Sequence, residues 1–147
     1  MTSVFSRLHG DCAALGTRLF TVTSLDEDAA LYRRVYSSHP AEYPVSGTKP
    51  LDRDAWYDLH IAGRQPFIAN TPDVIAQHFF DHELIGAMGL GSCLNLPVHE
   101  GAGPVLGTVN LLAETGHYTA DRIAAYQGLI AAALPLLCAA LPAALLA

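Results

Sequence analysis

Twenty consecutive residues, GLIAAALPLLCAALPAALLA from Gly128 to Ala147, carry no charge. A stretch of this kind is covered by something, either lipid or protein. Its length meets the requirement for a membrane span. Two prolines, a heavy share of weakly apolar Ala and no following Lys/Arg flank weigh against that option. Tyr126, Ile130, Leu134, Leu137, Leu141 and Leu145 recur at the spacing of one helical stripe, and Leu129 and Leu136 mark a second face. A helix apolar on two faces can bury one on its own sheet and the other on a partner helix. A packed dimer helix is therefore expected over a membrane span.

The chain has 147 residues, enough for one domain with a real core, and 51% of them are hydrophobic. A single domain over 1–147 is expected. Only 15% are charged, well below the usual quarter, so part of the surface should be covered, most simply by a second subunit. The net charge is −6, and the seven Arg and single Lys (Lys49) form no basic run. Binding to nucleic acid needs such a cluster, which argues against that class of partner. Cys12, Cys93 and Cys138 are widely spaced with no CxxC pair, so neither a zinc ribbon nor a disulfide framework is encoded. The segment MTSVFSRLHGDC lacks the apolar run of a signal peptide, and a cytoplasmic location is expected.

Along the chain, Val4, Phe5, Leu8, Cys12 and Leu15 predict a helix over 3–16 that stops at Gly16. RLFTVTSL (18–25) and LYRRVYSS (31–38) predict two strands joined as a hairpin. Residues 39–54 hold three of the nine prolines and read as an irregular loop. A short helix over 55–64 and a short strand over 66–70 follow. Thr71, Pro72 and Asp73 form a helix start, and one helix is predicted from there through DVIAQHFFDHELIGAM (73–88). Strands over 93–100 and 104–112 form a second hairpin, and Thr119 caps a last helix reaching about 141. Hairpin connections dominate, which indicates an α+β architecture with a mainly antiparallel sheet.

Gly86, Gly89 and Gly91 raise the question of a phosphate loop. Such loops follow a strand and open a helix, whose N-terminus attracts the anion. Here the glycines follow a helix and open a strand, so its negative end faces them. A helix cap built from residues with positive φ is the better account of all three.

The stretch HELIGAMGLGSCLNLPVHEGAGPVLGTVNLLAETGHYTADRI resembles the C-terminal half of a GAF domain. Ser92, Leu94, Pro97 and Val98 match its S-x-L-x-x-P-V strand, and Leu106, Gly107, Asn110 and Leu111 match its L-G-x-x-N-L strand. The N-terminal half agrees in the order of its elements. The resemblance implies a GAF-like (PAS/profilin-like) antiparallel sheet of five to six strands, with terminal helices on one face. Short helices and loops would build a small-molecule pocket on the other face, and the terminal helices would pair two copies. A stand-alone domain is expected, unlike most signalling members of that family.

Alternation along the second hairpin puts Leu94, Leu96 and Val98 against the terminal helices and Cys93, Asn95, Thr108 and Asn110 on the opposite face. Those four either line the pocket or face solvent. The position of the family's pocket favours lining. Trp56 and Phe79 are expected to join them, and His60 is added as a ligand contact. Tyr57 and Phe80 are aromatics whose ordinary fate is the core. His78 and His82, four apart beside Asp81 and Glu83, could share a metal. No third ligand is near in sequence, so solvated histidines are favoured and no metal is expected. Arg33 and Arg34 point to opposite faces, so at most one could meet an anionic ligand, and sheet-rim arginines are favoured.

Some single-domain GAF proteins reduce free methionine sulfoxide with an attacking and a resolving thiol. Only Cys93 falls near the expected pocket, and residues 39–54 and 66–81 hold no cysteine. No GxSxG motif, paired carboxylates or bilin-attachment signature suggests other chemistry. The expectation is a homodimeric, non-catalytic sensor of an unidentified small molecule, with no cofactor. The alternatives are an interaction module whose pocket is filled by its own side chains and, less favoured, a reductase-like enzyme.

Overall fold

Side-chain capping starts most of the α-helices in the computed structural model, which describes residues 3–146. Ser3 accepts from the Ser6 N–H and opens α1 (Val4–Ala14). The chain then forms the hairpin β1 (Leu19–Asp26) and β2 (Leu31–Ser37), with a register irregularity between Val22 and Thr23. The Pro-rich segment, expected to be irregular throughout, contributes β3 (Thr48–Pro50) along the edge of β2. This strand is too short and too polar to show in the alternation pattern. Asp54 caps α2 (Ala55–Tyr57), which continues as a π turn over Asp58–Ala62. Arg64 follows with φ 55°, held there by donating to the carbonyls of Gly103 (2.7 Å) and Ala102 (2.6 Å).

After β4 (Phe67–Ala69), Thr71 caps α3 (Pro72–His78) with Pro72 in the first turn. The single helix expected over 73–88 is in fact two. Phe79 takes an extended conformation (φ −123°, ψ 122°), and α4 (His82–Ala87) starts afresh. The break turns Phe79 toward Phe67, whose ring meets it edge-on at 5.8 Å. It also removes the common helix face on which His78 and His82 were to stand.

The three glycines also divide. Gly86 lies within α4 with open space around it. Gly89, with φ 77°, is the left-handed residue after the cap. Gly91 answers a close approach, because a Cβ there would lie 2.0 Å from the Thr115 hydroxyl oxygen. One glycine, and not all three, ends the helix.

β5 (Ser92–Val98) and β6 (Gly107–Ala113) form the second hairpin, and Thr119 caps α5 (Ala120–Ala144). The sheet order is β3-β2-β1-β6-β5-β4, with every neighbour antiparallel. α1 and α5 pack together on one face, where Phe5, Leu8, Cys12, Tyr126, Ile130, Leu137 and Leu141 meet Phe20, Val22, Leu94, Leu96, Val98, Val109 and Leu111. On the other face Leu19, Phe67, Cys93 and Leu112 of the sheet meet Ile75 and Ile85 of the shorter helices. The fold is α+β.

α5 is long and apolar enough to cross a membrane by length and composition, and one stripe of it is buried on the sheet. Of the six stripe positions, Leu134 and Leu145 are half-buried and the rest buried. On other faces, Leu129 is half-buried, Leu136 is 52% exposed and Leu146 is 89% exposed. Ser24 anchors the far end by donating to the Leu141 carbonyl (2.9 Å).

Candidate ligand-binding site

A cavity of about 400 Å³ lies between the second face of the sheet and the segments that cross it. Thr21 and Thr23 from β1, Thr108 and Asn110 from β6, and Cys93 and Asn95 from β5 form its floor, flanked by Leu19 and Leu112. Trp56, Tyr43, Lys49, Phe79, Phe80 and Asp81 stand around and above it. Its lining is mainly apolar with a few fixed polar groups, the usual character of a small-molecule pocket.

The polar floor is one connected network. The Trp56 indole N–H donates to Asn95 Oδ1 (3.1 Å), and Asn95 Nδ2 donates to Asn110 Oδ1 (2.8 Å). Asn110 Nδ2 then donates to the hydroxyl oxygens of both Thr21 and Thr23, each at 3.1 Å. The register makes this possible, since Asn110 stands opposite Asn95 on one side and Thr21 on the other.

A side branch runs through Thr108, whose hydroxyl lies 3.0 Å from Asn110 Oδ1 and 2.9 Å from His60 Nε2. His60 Nδ1 faces the Gln65 carbonyl at 2.9 Å and so carries the hydrogen of a neutral ring. Burial holds His60 down to about 4, partly offset by that carbonyl, so the ring is neutral at neutral pH. Thr108 therefore has one hydrogen for two facing acceptors.

Side chains from both edges of the sheet close the roof. The Tyr43 hydroxyl donates to Asp81 Oδ2 (2.6 Å), and Lys49 Nζ lies 5.9 Å and 6.0 Å from the ring centroids of Phe79 and Phe80. Arg34 places its guanidinium 5.0 Å over the Tyr43 ring while Nη1 donates to the Pro44 carbonyl (3.1 Å). Burial lowers the Arg34 pKa and raises that of Tyr43, the latter helped by the bond to Asp81.

No family model matches the sequence, and no curated protein matches it. Solved structures do. The GAF domain of a phosphoenolpyruvate-protein phosphotransferase from Coxiella burnetii superposes with a TM-score of 0.71 at 16% identity, covering 92% of this chain and 78% of that one. The second GAF domain of DevS from Mycobacterium smegmatis gives 0.63 at 20% identity, with 93% of each chain covered. The GAF domain of a two-component sensor histidine kinase from Bacillus halodurans gives 0.68 at 12% identity, covering 86% and 85%. The chain has the GAF fold. Identities this low establish the architecture and leave the chemistry to the residues of this chain.

Within that GAF fold, Trp56, Phe79, Cys93, Asn95, Thr108 and Asn110 all border the cavity. His60 does not. It is fully buried behind Thr108, with its ring 4.7 Å from that of Trp56, and serves the network from behind. Arg34, expected as a rim arginine, is half-buried and borders the cavity. Thr21, Thr23, Tyr32 and Tyr43 also belong to the lining, although nothing in the sequence singles them out. Alternation puts Thr21 and Thr23 on one face of β1, but only the register with Asn110 tells which face that is.

The thiols are poorly placed for redox chemistry. Cys93 is buried, and burial followed by the nearby Asp81 pushes its pKa up to about 12, against a weaker opposing bond from Asn95. Cys12 is also pushed up to about 12 by burial, and it packs with α5 on the opposite face. A thiol with so high a pKa is a poor nucleophile at neutral pH.

Proposed function

We propose that this chain is a non-catalytic sensory domain that binds a small molecule in the cavity and acts as a homodimer through its terminal helices. The observation that carries this is a cavity of about 400 Å³ left open by its own aromatics, above a floor whose polar groups are held in one network. A module with a self-filled pocket would have no such space. The sensor kinase origin of one structural neighbour is consistent with a sensory setting. The raised pKa values of Cys93 and Cys12 argue against thiol catalysis.

A thermal-shift screen against nucleotides, amino acids and aromatic acids tests the binding role. A ligand of the native state raises the melting temperature. No shift with any compound would favour the interaction module, and turnover of free methionine sulfoxide would overturn the non-catalytic assignment. The dimer is supported by the apolar surface left on α5 around Leu136. Sedimentation should give a dimer for the intact protein and a monomer for Leu136→Glu.

A further inference from the structure

The geometry points to a small organic acid as the ligand. Its carboxylate would be received by Thr21, Thr23 and Arg34, and its apolar body by Trp56, Phe79 and Leu112. This inference rests on reading the cavity as a ligand site and adds the chemical class.

The indole N–H of Trp56 can only donate, so the atom of Asn95 that meets it is the amide oxygen. The Asn95 NH2 group must then face Asn110, which fixes the Asn110 oxygen toward it. The Asn110 NH2 group is left facing β1, where its two hydrogens go to the oxygens of Thr21 and Thr23. Each threonine hydroxyl still has its own hydrogen to give, and no acceptor among the described residues takes it. Both hydroxyls border the cavity, so the donor polarity set at Trp56 emerges at the floor as two O–H groups. A ligand acceptor completes them. A ligand donor leaves both hydrogens unmatched, and an unmatched buried donor costs binding energy.

Arg34 supplies the charge. It is the cross-strand partner of Thr23, so its guanidinium and that hydroxyl rise from adjacent positions of the floor. Among the described residues no carboxylate lies within 4.0 Å of it, Nε is buried without a partner, and Nη1 alone has a protein acceptor. Lys49, exposed at the rim, adds a second cation. Two acids also border the cavity. Asp81 accepts the Tyr43 hydroxyl and acts on Arg34 only from beyond ion-pair distance, and Glu42 is exposed at the mouth. The charged group paired across the strands with Thr23 is thus a cation, and a planar carboxylate suits its fork of donors.

Calorimetric titration of the intact protein with matched triplets tests this: benzoate, benzamide and benzylamine; phenylacetate, phenylacetamide and phenethylamine; and 4-methylpentanoate with its amide and amine. The acid of at least one triplet should bind, with its amide and amine at least tenfold weaker. Arg34→Met and Thr23→Val should each weaken that acid at least tenfold. Arg34→Lys, which keeps the charge, should lose less and guards against a folding defect in the methionine variant. If amides or amines bind as well as the acids, or Arg34→Met and Thr23→Val bind undiminished, the acid assignment falls and the ligand pocket stands. If no member of any triplet binds, both fall.

Discussion

The indole nitrogen of Trp56 lies 3.1 Å from the side-chain oxygen of Asn95, joining the crossing segment to the centre of β5. This bond sets the direction of every amide behind it. Trp56→Phe keeps most of the ring and removes the donor, leaving the buried Asn95 oxygen unmatched. The expected loss is about 1–3 kcal/mol in urea denaturation. An unchanged midpoint would show that the network reorients freely.

Tyr32 presents the opposite case. Its hydroxyl is buried with no partner, while its ring packs edge-on against Trp56 at 5.8 Å. Tyr32→Phe retains the packing and deletes an unmatched polar group. Stability should hold or rise by up to about 1 kcal/mol, measured by the same denaturation. A clear fall would mean that the hydroxyl has a partner in solution.

His60 makes stability fall with acid. Its folded-state pKa is about 4, against an ordinary value of 6.5, so below 6.5 the unfolded chain takes up a proton that the folded chain refuses. The contribution is complete above 6.5, declines by about 1.4 kcal/mol per unit as the pH falls, and levels off near 4. His9, also lowered by burial, acts in the same direction. His60→Gln should therefore flatten the wild-type curve in this window without abolishing it. Parallel curves for the two proteins would refute the assignment.

Gly107 opens β6 where β1 and α5 converge on it. A Cβ there would stand 2.3 Å from the Thr23 carbonyl oxygen and 3.0 Å from a Leu141 methyl. Gly107→Ala should cost about 1–3 kcal/mol by overpacking, with the backbone contact pushing toward the upper end. Gly10→Ala on α1 has open space and should instead gain about 1 kcal/mol from helix propensity. Melting temperatures of the pair decide this. Equal shifts would contradict it.

Periodic features of this fold were legible in the sequence. The stripe from Tyr126 to Leu141, the alternation of Leu94, Leu96 and Val98, and the caps at Thr71 and Thr119 each follow from local spacing. β3 was not, because a threonine, a lysine and a proline make no pattern without β2 beside them. Nor was the break at Phe79, since the apolar spacing continues through it and only the contact with Phe67 supplies its reason. The floor was half legible. Asn95, Thr108 and Asn110 share a face by alternation, whereas Thr21 and Thr23 join them through a register fixed in three dimensions. Arg34 escaped for the same reason.

The roof contacts have a mechanical meaning. β3 and β4 are the two edges of the sheet, and Lys49 and Tyr43, from beside one edge, meet Phe79, Phe80 and Asp81, from beside the other. Six strands and this clasp together make a ring in which every joint but one is built of main-chain hydrogen bonds. The exception is made of side chains alone. Opening it would cost the Tyr43–Asp81 bond and two cation–aromatic contacts, and no strand pairing.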